Sequence, residues 1–226
     1  MNIFWGTSWA TYSGDKMTGM DTFCKGFGNS NLAKTVDEYT GSNGQVGPAS
    51  THQGHVIDST TASRGDDPNV IMDEVCKMIP NPDPSGNGFY SVFVDLPRNG
   101  DDYCAWHSSG TCNGVQVQFG FFWMQEGDSG CDPKSKVSGQ SQGLAALANV
   151  YGHEICEART DPNGDAWIDG QGEEVGDMCA WAFHSPYVTF TDGTQWKVQG
   201  MWSNKAYLAG TGYPNLSGQA GCVQGS

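Results

Sequence analysis

The chain has 226 residues, 37% of them hydrophobic and 12% aromatic, with 32 Gly and 10 Pro; this suits one sizeable core in a turn-rich globular protein and argues against disorder. With 11 Lys+Arg against 25 Asp+Glu, the formal net charge is −14. No basic run exists to neutralise phosphates, so nucleic acid is excluded as a partner, anionic membranes are disfavoured, and no apolar stretch reaches the length of a membrane span.

Ile3-Phe4-Trp5 reads as the opening of a sheet. Met17, Met20, Phe23, Cys24 and Phe27 recur at three- and four-residue intervals, which predicts a helix from Asp15 to Phe27, stopped by Gly26 and Gly28. A shorter helix or turn is expected over Asn31 to Tyr39, then a polar, glycine-rich loop from Gly41 to Gly54 and a strand at His55-Val56-Ile57-Asp58. Asp67-Pro68 opens a helix through Ile79, with proline in its first turn, and Pro82 to Gly88 break it. Phe89 to Leu96 is a buried strand by its β-branched and aromatic content. Asp101 to Gly114 is expected as a loop, and Val115 to Trp123 as a strand with one wet face. In a zincin-like arrangement that strand would lie at an edge and receive an extended peptide by strand addition.

Ser138 to Ser141 supply N-cap candidates for a helix that runs to Thr160 and is ended by Pro162. Its apolar stripe is Leu144, Leu147, Tyr151, Ile155 and Ala158, while His153 and Glu157 share a different face at about 100° per residue. Beyond it, Glu174 to Trp181 is expected as a short returning helix, and Tyr187 to Gln199 as a β-hairpin turned at Asp192-Gly193.

The chemistry centres on His153-Glu154-Ile155-Cys156-Glu157. In a zincin motif two side chains one helical turn apart bind the metal, and the intervening Glu activates a water. Here His153 and Glu157 are the helix ligands and Glu154 the general base, with a third ligand from the later acidic cluster, Asp177 or Glu174 in preference to Glu173. Glutamate-type zincins resemble this plan; in their register Glu173 would be the ligand and Asp177 would orient His153 through its other ring nitrogen. A glutamate in place of the second histidine neutralises more of the cation's charge, favouring binding over fast catalysis. The bland alternative is a polar helix face beside a structural carboxylate cluster.

Three further features have a role and an ordinary alternative. Asp161, Asn163, Asp165 and Asp169 place oxygens at positions of a calcium loop, but Ala166 and Gly172 break the pattern and an Asp/Asn/Gly turn explains the stretch as well. His107 lies between Cys104 and Cys112; a disulfide between these would hold it over a cleft as ligand, acid or oxyanion donor, against the alternative of a hydrogen-bonded loop histidine. His52, His55 and His184 have no comparable context. The eight cysteines form an even set without a C-x-x-C pair, which predicts disulfides and an oxidising, extracellular setting. A Cys156–Cys179 pair would fix the motif helix against the acidic cluster. The first residues lack the charged and apolar regions of a signal peptide, so a mature, secreted form is expected.

Several segments together resemble the phosphate-induced, EXORDIUM-like family of secreted proteins: Ile3-Phe4-Trp5-Gly6, Gly88-Phe89-Tyr90-Ser91-Val92, Cys104-Ala105-Trp106-His107, Thr160-Asp161-Pro162 with Ala166-Trp167, and Glu174-Val175-Gly176-Asp177-Met178-Cys179. The resemblance is to the microbial branch that keeps His-Glu-x-x-Glu, and implies secretion and zincin-like ancestry without requiring proteolysis. The expected architecture is a single α/β (α+β), zincin-like domain over 1–226, with a mixed sheet, an active-site helix and disulfide-stabilised loops; 1–160 carry the sheet and helix and 161–226 a smaller C-terminal subdomain. The expected activity is that of a secreted zinc metallopeptidase acting on extracellular protein or peptide, the alternative a non-catalytic binding or signalling protein with a structural metal. Carbohydrate recognition by the many Trp and Tyr is a third reading.

Overall fold

The computed structural model describes residues 1–41 and 43–225. In chain order its elements are β1 (Asn2–Trp5), α1 (Lys16–Phe27), α2 (Asn31–Lys34), β2 (Thr40–Gly41), β3 (Gly44–Gln45), β4 (His55–Asp58), α3 (Pro68–Met78), β5 (Phe89–Val94), β6 (Ala105–Cys112), β7 (Val115–Phe122), α4 (Gln142–Thr160), β8 (Val188–Thr189), β9 (Gln195–Trp196), β10 (Met201–Trp202), α5 (Asn204–Ala209), β11 (Tyr213–Pro214) and β12 (Ala220–Val223). A five-stranded mixed sheet in the order β4-β1-β5-β7-β6 forms the centre. The first four strands are parallel, and β6 runs antiparallel to β7.

Alternation along the strands builds a core on each face. Phe4, Phe93 and Phe122 point to one side, where α1 and α4 pack; Ile3, Trp5, Val92 and Phe121 point to the other, against Ile71 and Val75 of α3. The helix α4 is seated on an aromatic column: Phe4 stacks on Phe93 at 5.0 Å between ring centroids, Phe93 on Phe122 at 4.9 Å, and Tyr151 of α4 lies 5.5 Å from Phe122. Side chains of this size dominate core energetics, so the sheet dictates where α4, and the motif two residues beyond Tyr151, must sit.

Ser141 caps α4, its hydroxyl oxygen accepting from the Leu144 N–H at 3.0 Å, and Asp15 at the start of α1 in turn holds Ser141 through two 2.6 Å bonds. Asp67 caps α3 and Pro68 occupies its first turn, as the sequence predicts. The predicted single stripe on α4 is corrected. Val150 and Cys156 are buried as well, and Ile155 is only half-buried. Trp196 and Val198, which join the same core, cover a second side of the helix.

Two further expectations are overturned. The segment predicted as a loop from Asp101 to Gly114 contains β6, which forms a hairpin with β7 across Asn113-Gly114, both at positive φ (52° and 82°), the two-residue turn favoured between twisted strands. Consequently β7 is an interior strand, and β6, with its polar Ser108, Ser109 and Thr111, is the edge.

Three disulfides form, Cys76–Cys112, Cys104–Cys131 and Cys179–Cys222. The conditional Cys104–Cys112 pair does not form, because these residues lie at opposite ends of an extended strand; nor does Cys156–Cys179, since Cys179 pairs with Cys222 and Cys156 is a free, buried thiol on α4, as Cys24 is on α1. The C-terminal stretch adds the β8–β9 hairpin around Asp192-Gly193 and a three-stranded sheet, β10-β12-β11, tied by Cys179–Cys222 to a 3-10 turn at Asp177–Cys179, where a longer helix was expected. No helix among the described residues is long and apolar enough to cross a membrane.

Candidate metal centre

The i,i+4 spacing on α4 brings His153 Nε2 within 3.1 Å of Glu157 Oε2. The turn from Glu174 to Asp177 folds over this pair: Asp177 Oδ1 lies 3.4 Å from the same Nε2. Glu157 is the junction. Its Oε1 accepts the backbone N–H groups of Gly176 and Asp177, both at 3.1 Å, which docks the turn onto the helix and leaves Oε2 to face the histidines. Gly176 is required at this approach, because a Cβ there would stand 2.8 Å from Glu157 Oε1 and 2.9 Å from the His153 ring.

From the sheet side, β6 delivers His107. Its Nε2 lies 3.1 Å from Glu174 Oε2 and 3.9 Å from Glu157 Oε2. Glu154 projects into the same space, only 5% exposed and without a hydrogen bond or ion pair of its own among the described residues. Two overlapping donor sets result, His153–Glu157–Asp177 and His107–Glu154–Glu157, the candidate ligand atoms within each lying within 4.8 Å of one another.

Burial and crowding of like charge govern the protonation of these groups. Burial, reinforced by Glu157 and opposed by His153, pushes the Glu154 carboxyl up to about 8. Burial also raises Glu174. For His107 burial acts downward, but the Glu174 hydrogen bond and the charges of Glu154 and Glu157 outweigh it and push the imidazole up to about 9. His153 is likewise drawn well above its ordinary value, against burial, by Glu157 and Asp177, and Asp177 is held below the usual carboxylate range by His153.

Gln199 is the residue that sequence reasoning missed. Its Oε1 accepts from the Trp181 N–H at 3.2 Å and its Nε2 donates to the Gly176 carbonyl at 2.8 Å, so the amide's orientation is set by the backbone. The remaining N–H of Nε2 then meets His153 Nδ1 at 3.1 Å. In the neutral ring that contact makes Nδ1 an acceptor and places the proton on Nε2, toward Glu157 and Asp177. The zincin register assigned the other ring nitrogen of His153 to Asp177; the structure gives that place to Gln199 and turns Asp177 toward Nε2.

The remaining sequence candidates separate cleanly. Glu173 is exposed and joins neither donor set, and Glu174, the other ligand candidate, also joins neither and holds His107 instead. Asp161 Oδ1 accepts the N–H groups of Asp165 and Ala166, and Asp169 Oδ1 those of Gln171 and Glu173, so these carboxylates serve Asx-type turns. Asn163 Oδ1 accepts from Gln116 of β7. None of the four calcium candidates joins a metal-competent group among the described residues. His52 and His55 flank Asp21 at 2.8 and 2.6 Å, and His184 stacks on Tyr213.

A surface cavity of about 520 Å³ opens beside β6, lined by Asp66, Tyr103, Trp106 and His107 among others. A larger one of about 730 Å³, near Lys34, Glu38, Lys205 and Tyr213, contains none of the cluster's residues.

Comparison with protein-family models finds no family that matches this chain. Neither the curated proteins nor the solved structures contain a match. What the chain shows of itself is therefore a mixed α/β fold, held by three disulfides, with a His/Glu/Asp group able to hold a metal ion.

Proposed function

We propose that the protein is a secreted, zinc-dependent hydrolase of zincin-like fold, and that its substrate is a peptide. The observation that carries this reading is the convergence of His153, Glu157 and Asp177, with the buried Glu154 beside them on the same helix. One imidazole and two carboxylates are nitrogen and oxygen donors of the kind zinc accepts. Zinc, when bound, supplies a Lewis acid that makes a water more acidic.

The chain's own groups then divide the work. Glu154, buried beside the ligands on the same helix, is the group placed to accept the water proton at its carboxylate. His107, held by Glu174, is the donor at hand for the oxygen on which negative charge develops. The edge strand β6, which carries His107, has a free side on which an extended peptide could add as a further strand. Three disulfides suit an oxidising compartment, and the EXORDIUM-like resemblance agrees with secretion.

Metal analysis of the purified protein, combined with a broad peptide library cleaved by wild type and Glu154→Gln, tests the reading. The expectation is bound zinc, cleavage by wild type, and a loss of at least ~100-fold in the variant. Equal activity in both proteins removes Glu154 from the chemistry.

One observation favours a second reading, a secreted binding or signalling protein on the same scaffold. Zinc at His153 Nε2 needs the ring proton on Nδ1, and Gln199 would have to turn its amide over, giving up its bonds to Trp181 and Gly176. That cost lowers zinc affinity, and the carboxylate ligands make a bound water less acidic, which favours holding a metal over turnover. The outcome specific to this reading is chelator-sensitive thermal stability with no turnover of any peptide.

A further inference from the structure

The second donor set has features that one cation on the first leaves unexplained. Glu154 is 5% exposed and makes no hydrogen bond or ion pair among the described residues. Oε1 of Glu174 is buried without a partner, while its Oε2 holds His107. A buried carboxylate oxygen without a partner is costly, and this one belongs to the residue that holds the His107 imidazole.

Glu157 connects this space to the first donor set. Its Oε1 is occupied by two backbone N–H groups, so only Oε2 is available, and that oxygen faces His153 Nε2 at 3.1 Å and His107 Nε2 at 3.9 Å. A single carboxylate oxygen facing two histidines is the arrangement of a bridging ligand.

We propose that the centre takes two zinc ions, the first on His153, Glu157 and Asp177 and the second on His107, Glu154 and Glu157, bridged by Oε2 of Glu157. Glu174 flanks the second position through its contact with His107. The inference rests on the metal-dependent reading above and adds a regulatory consequence. Glu154 is the base of the hydrolase when only the first position is filled; a second zinc claims that carboxylate as a ligand. The second position is thus an inhibitory one.

The test is zinc stoichiometry, which does not depend on turnover. Metal-stripped protein is equilibrated with excess zinc, dialysed at fixed free zinc, and the metal per chain measured, with calorimetric titration to resolve the steps. The expected result is two zinc per chain in wild type, falling to one in His107→Ala, in the more conservative His107→Gln and in Glu154→Gln. Anomalous difference density at the zinc edge should show two peaks roughly 3.5–4 Å apart. One zinc per chain at saturation overturns the second position and leaves the first standing. Two zinc retained in both His107→Gln and Glu154→Gln overturns the assignment of its ligands. No zinc at all overturns the underlying metal reading together with this one, so the two failures are distinguishable.

Discussion

Gln199 holds the imidazole of His153 from behind: its amide N–H lies 3.1 Å from Nδ1, while Glu157 and Asp177 face Nε2. The partner of a histidine's outer nitrogen fixes its tautomer and tunes its basicity as a ligand. Replacing that donor with an acceptor should favour the tautomer that frees Nε2. Gln199→Glu is therefore expected to tighten zinc binding by about 10-fold or more, and Gln199→Leu, which offers neither donor nor acceptor, to fall short of it. Calorimetric titration of the stripped proteins with zinc decides; a Glu variant that binds no better than wild type would show that Gln199 does not restrain the ring.

Glu157 has two separable duties, one for each oxygen. Glu157→Gln keeps an acceptor for the Gly176 and Asp177 N–H groups, so it should fold with little loss while binding zinc at least ~10-fold more weakly. Glu157→Ala strands both N–H groups, at a cost on the order of 1–3 kcal/mol for each group left unsatisfied. Denaturant unfolding in chelator separates the two variants, and equal stability would mean that the turn is not held by this carboxylate.

The cluster makes the metal-stripped protein sensitive to alkali. Glu154 titrates near 8 instead of 4.5, and His107 near 9 instead of 6.5, so both bind more protons folded than unfolded. Their contribution is complete below the unfolded values and is lost as pH rises through 8 and 9. The melting temperature in chelator should therefore fall between pH 6 and 9, and fall less steeply in Glu154→Gln and His107→Gln. Zinc affinity should move the opposite way, rising over the same window as its ligands lose their protons.

A methyl group at Gly176 has nowhere to go. At 2.8–2.9 Å from Glu157 and His153, a Cβ would push the turn off the helix. Gly176→Ala should weaken zinc binding and lower stability together. Gly170→Ala, which meets nothing within 4 Å, should stay within about 0.5 kcal/mol of wild type. Thermal melts with and without zinc give both comparisons.

The α4 half of the centre was readable from spacing alone, because four residues on a helix always bring two side chains to one face. His107 meeting Glu174 was not readable. It depends on which edge of the sheet β6 occupies, a long-range matter on which a polar run such as Trp106-His107-Ser108-Ser109-Gly110 carries no periodic signal. The turn at Asn113-Gly114 did carry one, and the two-residue hairpin rule applied there converts the predicted loop into a strand. Gln199 was hidden for a different reason. Its role comes from three backbone and side-chain partners that only the folded C-terminal stretch assembles. The cysteine pairings were equally out of reach, since eight cysteines leave the connectivity undetermined by spacing.

The strand that carries His107 is riveted at both ends: Cys104, one residue before it begins, is bound to Cys131, and its last residue, Cys112, to Cys76 of α3. An edge strand is the part of a sheet that peels first, and its outer edge is a template for another chain. These two bonds make β6 a stave that cannot lift away from β7 or slide along it without carrying its neighbours. In a reducing solution that restraint disappears while most of the core is untouched. The first sign of trouble would then be self-association through a loosened edge, well before the chain unravels, so the working lifetime of this molecule is set by the redox state of its surroundings as much as by temperature.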